Sequence, residues 1–206
     1  MKRVLFQGDS ITDSWRDKEN NMNLGTGYAD LVSAQLGIDK MGEYEFLNRG
    51  ISGNRVVDLL ARVKCDMINL APDYMSILIG INDVWHEIAC QNGVSEERFE
   101  NLYNMLIEEV KEALPNIKLM ILEPFVLKGE ATEEHWEEFR NGAEKRAAAA
   151  KRVAEKNNIV FVPLMKRFDE AAKKQPDSYW LFDGVHPTPA GHELIKREWI
   201  KHFELL

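Results

Sequence analysis

The chain has 206 residues, of which 45% are apolar and 29% charged, and it carries a formal net charge of −8. That length can bury a continuous core without metal or disulfide staples. The acidic balance argues against nucleic acid, whose phosphates need a basic patch, and against anionic membranes, so a neutral substrate is expected.

Taken in order, short apolar runs alternate with helix-patterned stretches. Arg3–Phe6 reads as the first strand. Met1–Phe6 is too short in apolar residues for a signal peptide, and no run reaches membrane-spanning length, which predicts a cytoplasmic protein. Further strands are expected at Tyr44–Leu47, Tyr74–Ile79, Lys118–Leu122 and Ile159–Val162. Phe99, Leu102, Leu106, Val110, Ala113 and Leu114 recur at helical steps. Ser95 is placed to cap that helix, Glu96 and Glu97 suit its positive end, and Pro115 closes it. Phe125–His135 follows strand four as a mixed-polar rim loop, and Glu133–Lys156 predicts a long, partly exposed helix. The last helix has an explicit start, Thr188 as cap and Pro189 at the first position. Its apolar residues Trp199, Ile200 and Phe203, with Leu205 and Leu206, are either core or a subunit contact, and a homo-oligomer is expected. Neither a repeat nor a linker interrupts the chain, so residues 1–206 read as one domain. Cys65 and Cys90 are expected as reduced thiols without a disulfide. Strand–helix alternation implies a parallel sheet covered on both faces, with ligands at the carboxyl ends of the strands.

Those strand ends carry the chemistry. Gly8-Asp9-Ser10 follows strand one and offers either a turn with a cap or a nucleophilic serine. Asp183-Gly184-Val185-His186-Pro187 supplies what such a serine needs. His186, held out of a helix by Pro187, can accept and return a proton near neutral pH. Asp183, three residues earlier, can fold back to fix the ring's tautomer. His86, His135, His192 and His202 read as surface residues. A zinc site from Asp183, His186 and His192 matches no metal spacing, and no metal or other cofactor is expected.

Acyl transfer also needs donors for the oxyanion. The candidates are the backbone N–H of Ser10, the backbone N–H of Gly53 and the side-chain amide of Asn82. Gly50-Ile51-Ser52-Gly53 starts like a Gly-x-Ser-x-Gly elbow, but Asn54 breaks it, which rules against Ser52 as nucleophile. For substrate contacts, Asp9, Arg55, Trp85 and Trp180 are the candidates. Arg55 either braces the Gly53 loop or touches substrate, while Trp85 and Trp180 are equally core residues or stacking faces.

Four blocks, around Ser10, Gly53, Asn82 and His186, occur in the order that names the GDSL or SGNH hydrolases, and the chain resembles that family from residue 3 to about 192. Ile11 stands where the name motif has leucine. The resemblance implies a flavodoxin-like three-layer α/β/α sandwich around a central five-stranded parallel sheet, and a metal-free serine esterase with Asp183 as the acid. Gly8–Asp13, Asn48–Asn54, Ile79–Trp85 and His186–His192 look most like bacterial acetylxylan esterases, which implies deacetylation of neutral saccharides. The alternatives are a lysophospholipase, thioesterase or aryl esterase on the same machinery, or a non-catalytic saccharide-binding protein.

Overall fold

The computed structural model describes residues 1–206. Five strands form one parallel sheet: β1 (Lys2–Gly8), β2 (Tyr44–Asn48), β3 (Tyr74–Leu78), β4 (Lys118–Leu122) and β5 (Val160–Val162). Their order is β2-β1-β3-β4-β5, so the connections reverse direction between β1 and β3. A doubly wound sheet opens its ligand crevice at that reversal. The helices are α1 (Ser10–Asp13), α2 (Tyr28–Asp39), α3 (Val56–Ala61), α4 (Val63–Asp66), α5 (Ile81–Cys90), α6 (Glu96–Ala113), α7 (Trp136–Asn157), α8 (Met165–Ala172), α9 (Asp177–Trp180) and α10 (Pro189–Phe203). None is long and apolar enough to cross a membrane.

Both sheet faces are apolar because alternate side chains point opposite ways. Val4, Phe6, Met120 and Leu122 meet α2, α8 and α10 on one side. Leu5, Met75, Ile77 and Ile121 meet α3, α6 and the second half of α7 on the other. On the first face Trp199 stacks on Phe203 with centroids 4.6 Å apart, and Phe6 lies 5.5 Å from Trp199. Each such fully buried side chain contributes about 2–3 kcal/mol. Trp199 and Phe203 are therefore core, Ile200 and Leu206 pack against that core, and Leu205 alone of the C-terminal apolar set is exposed.

The expected strands all form, β5 beginning one residue later than its pattern. Thr188 caps α10 as expected, its hydroxyl accepting from the Gly191 N–H at 3.2 Å, with Pro189 in the first turn. Ser95 stands at the cap position of α6, but its side chain makes no capping bond. The long helix α7 starts at Trp136 rather than Glu133, because the preceding turns are held elsewhere. Phe125, Val126 and Leu127 are buried. The Leu127 N–H donates to the Gly184 carbonyl (2.9 Å) and the Ala131 N–H to the Asp183 carbonyl (3.0 Å). The polar pattern of this segment suggests a rim loop; in the fold it is a buttress beneath the Asp183 turn.

Candidate active site

Ser10 starts α1 directly at the carboxyl end of β1, with Asp9 as the helix cap. Gly8 is required there: a Cβ would come within 2.4 Å of the Leu78 carbonyl on the neighbouring strand. The Ser10 hydroxyl lies 3.0 Å from His186 Nε2, across 176 positions of sequence. His186 Nδ1 lies 2.7 Å from Asp183 Oδ2. The other Asp183 oxygen accepts from the N–H groups of Val185 (2.9 Å) and His186 (2.8 Å), closing a tight turn. Burial works to raise the Asp183 carboxyl, but the hydrogen bonds from the His186 ring and these two N–H groups outweigh it and hold it down to about 2. The His186 ring is shifted upward, chiefly by its hydrogen bond to Asp183, against a smaller lowering from burial. An ionised Asp183 accepts a hydrogen bond from the protonated Nδ1, which leaves Nε2 free to accept from the Ser10 hydroxyl. The arrangement can generate a serine nucleophile.

The three expected oxyanion donors come from adjoining strand ends. The N–H groups of Ser10 and Gly53 have no acceptor within the chain. Gly53 has φ +82°, and a Cβ there would meet nothing within 4 Å, so the backbone is open to an incoming group. The Asn82 amide donates to the Asn54 carbonyl at 3.1 Å, which ties it to the Gly53 loop. Asn82 sits at the start of α5, straight after β3. The neighbouring Asp83 accepts from the Val56 N–H and fixes the start of α3. Ser52, rejected as a nucleophile, donates its hydroxyl to Asp13 at 2.9 Å.

Asn48 closes the framework at the end of β2. Its amide donates to the carbonyls of Thr12 and Leu24, and its oxygen accepts from the Gly50 N–H at 2.8 Å. Gly50 must be glycine because a Cβ would stand 2.2 Å from the Asp13 nitrogen.

The four candidate substrate contacts occupy different settings. Asp9 is buried beneath the site, accepting from the Ile11 N–H at 3.0 Å. Loss of solvation pushes its carboxyl up to about 7. Arg55 is a brace: it pairs with Asp58 at 3.0 Å and donates to the Asn92 carbonyl at 2.6 Å. Trp85 borders His186, ring centroids 5.9 Å apart, and sets its edge on Phe139. Trp180 packs on the core, and its carbonyl accepts from the Thr188 N–H. His192, expected at the surface, is buried against the first residue of α2, because its face of α10 is the one that α2 covers.

A cleft of about 670 Å³ opens over Ser10 and His186. Its apolar lining residues are Trp15 and Phe182, 90% and 66% exposed. Sequence reasoning passed over both. Phe182 had a signal, being the residue before Asp183, whereas Trp15 had only its place five residues after Ser10.

The GDSL-like lipase/acylhydrolase family model matches residues 6–194. An acetylxylan esterase of Geobacillus stearothermophilus is 33% identical over 215 residues, covering 97% of this chain and 93% of that enzyme. The solved structure of that species' acetylxylan esterase Axe2 superposes with TM-score 0.86 at 32% identity, over 98% of this chain and 93% of the other. A candidate GDSL-like lipase from Parabacteroides merdae superposes with TM-score 0.93 at 37% identity, over 100% and 96%. With its five-stranded parallel sheet matching these neighbours, the chain belongs to the GDSL-like lipase/acylhydrolase family and is a carboxylic ester hydrolase.

Proposed function

We propose that the chain removes O-acetyl groups from neutral saccharides of the acetylated xylo-oligosaccharide class, through an acetyl-enzyme on Ser10. The observation that carries the chemistry is the unbroken hydrogen-bond chain from the Ser10 hydroxyl through His186 to Asp183. Similarity to esterases described as acting on acetylxylan and acetyl-xylooligosaccharides supports the substrate. Two Axe2 structures carry substitutions described as catalytic, one of serine and one of aspartate, each by alanine, which supports the residue types in these roles.

In this reading His186 Nε2 takes the Ser10 proton as Oγ attacks the acetyl carbonyl. Negative charge develops on the carbonyl oxygen, to be met by the N–H groups of Ser10 and Gly53 and the Asn82 amide. His186, now protonated and stabilised by Asp183, returns the proton to the departing sugar hydroxyl. Water then enters, loses its proton to His186 and releases acetate, restoring Ser10.

The test is acetate release from acetylated xylo-oligosaccharides beside hydrolysis of p-nitrophenyl acetate and octanoate. Rapid saccharide deacetylation, weak octanoate turnover and a drop of roughly 10⁴- to 10⁶-fold in Ser10→Ala are expected. Preference for octanoate would discard the saccharide and keep the serine chemistry. Undiminished activity in Ser10→Ala would discard the mechanism.

A further inference from the structure

Two serine–histidine pairs stand side by side in this cleft, and they are wired in opposite senses. Ser10 meets His186, as described. Ser14, one turn further along, lies 3.4 Å from Nε2 of His192, and Ser14 and His192 both line the cleft. The difference lies at the far ring nitrogen. His186 Nδ1 faces a carboxylate acceptor, whereas His192 Nδ1 accepts from the backbone N–H of Tyr28 at 3.1 Å. A ring nitrogen that accepts from an amide carries no proton. Burial also lowers the His192 pKa to about 4, so the ring is neutral near pH 7. Its single proton is therefore on Nε2, and His192 donates to Ser14. It cannot serve Ser14 as a base. With its oxygen already accepting, the Ser14 hydroxyl keeps its own proton to offer, and His192 is the only side chain to which it is bonded.

The backbone around Ser14 is held in an unusual shape. Ser14 and Trp15 are consecutive non-glycine residues in the left-handed region, φ 40° and 64°. Such a pair persists only where its surroundings enforce it. Here the Ser14 carbonyl accepts from the Thr26 N–H at 2.8 Å. At Gly27 a Cβ would stand 2.7 Å from the Ser14 side chain and 2.8 Å from the His192 ring. The enforced turn holds the Trp15 indole 90% exposed at the mouth of the cleft, with Phe182 as the other aromatic there. Large apolar rings are kept exposed next to polar donors where a ligand with both kinds of surface binds.

We infer that Ser14, Trp15 and Phe182 form a subsite for a pyranose ring of a neutral saccharide, with Ser14 donating to a ring or hydroxyl oxygen and His192 as the residue that positions it. The inference rests on the saccharide reading above and assigns its binding groups. Trp15 and Phe182 supply faces for the sugar's C–H surface, and the proton on His192 Nε2 fixes the direction of the hydrogen bond.

Three measurements test it. Nitrogen NMR of the intact protein is expected to show His192 neutral and protonated on Nε2 from pH 5.5 to 8; a proton on Nδ1 overturns the wiring. In steady-state kinetics, Trp15→Ala and Ser14→Ala are expected to lower the ratio of kcat/KM for acetylated xylotetraose over that for p-nitrophenyl acetate. The falls should be about tenfold and fivefold, mostly through KM. An unchanged ratio overturns the subsite. Calorimetric titration with unacetylated xylotetraose separates this inference from the deacetylase reading. Binding by the parent protein that weakens in both variants upholds the subsite even where no acetate is released. Absence of binding by the parent overturns the subsite and leaves the esterase chemistry standing.

Discussion

Asp13 Oδ2 accepts from both the backbone N–H and the hydroxyl of Ser52, at 3.1 and 2.9 Å. One buried carboxylate thus joins the helix that begins with Ser10 to the loop that carries Gly53. Distance between a nucleophile and its oxyanion donors is a quantity on which rate depends steeply. Asp13→Ala is expected to lower kcat by about 10- to 100-fold with little change in KM, since a displacement near 1 Å costs about that much. Asp13→Asn keeps one acceptor oxygen and should lose less. Equal kcat in both variants and the parent, on p-nitrophenyl acetate, would mean that Asn48 and Gly50 hold the loop unaided.

His186 should set the acid limb of activity. Its hydrogen bond to Asp183 raises the ring above its ordinary 6.5, and only the neutral ring can take the Ser10 proton. Activity is therefore low in acid and climbs through a midpoint above 6.5. Proton NMR of the ring should show that titration, and Asp183→Asn should move it to lower pH. The same pair affects folding. The contribution of His186 is fully present below 6.5 and fades as pH rises through the higher folded value. The contribution of Asp183 is present above its ordinary value of 3.8 and fades as pH falls toward about 2. A His186 titration that ignores Asp183→Asn would contradict the pairing.

Asp83 gives a slope opposite to that of Asp183. Burial raises its carboxyl to about 7, so the folded chain holds a proton that the unfolded chain has released above its ordinary 3.8. Stability must then fall as pH rises between those two values. The share is on the order of 2 kcal/mol, because relaxation around the site returns part of the cost of ionising a buried carboxyl. Asp83→Asn retains an acceptor for the Val56 N–H and removes the titration. Urea unfolding at pH 5 and pH 8 should show a smaller loss in the variant than in the parent; identical losses would place the slope elsewhere, with buried Asp9 the next candidate.

Glycines offer a contrast within one chain. Gly50→Ala drives a Cβ to 2.2 Å from the Asp13 nitrogen, and backbone must move. A loss of about 3 kcal/mol is expected, with a matching loss of kcat. Gly37, exposed in α2, has open space around its Cβ position. Gly37→Ala should stabilise the protein by about 0.5–1 kcal/mol through helix propensity. Thermal unfolding of both variants checks the pair, and a Gly50→Ala protein as stable as its parent would refute the close approach.

Much of this molecule can be read from its residues, and the boundary follows a physical line. The strands, the Thr188–Pro189 helix start and the clustering of Ser10, Gly53, Asn82, Asp183 and His186 at the sheet's carboxyl edge follow from local pattern and strand–helix order. What escaped depends on contacts between loops that leave different strands. From sequence Asp9 reads as a ligand contact and Arg55 as either a brace or a ligand contact; only the packed structure shows one capping α1 and the other bonded to Asp58 and Asn92. His192 lies on a helix whose exposed face cannot be known before α2 is placed beside it. Trp15 owes its position to left-handed backbone at non-glycine residues, for which sequence carries no signal. The segment after β4 is polar enough to suggest a rim, yet its Leu127 and Ala131 N–H groups bond to the Asp183–Gly184 turn.

That buttress has a consequence for when the enzyme exists. Ser10, the proposed nucleophile, follows a strand in the interior of the sheet, whereas the proposed base His186 and acid Asp183 arrive 176 and 173 positions later. Between them, the segment after β4 must already be seated to receive the Asp183–Gly184 turn. The five-stranded sheet therefore forms around an inert serine, and ester hydrolysis becomes a readout of completed assembly. During synthesis or refolding, esterase activity should appear only with the final docking of the Asp183–His186 turn, after sheet formation has been registered by other probes. Activity that rises in step with the earliest sheet signal would contradict this order.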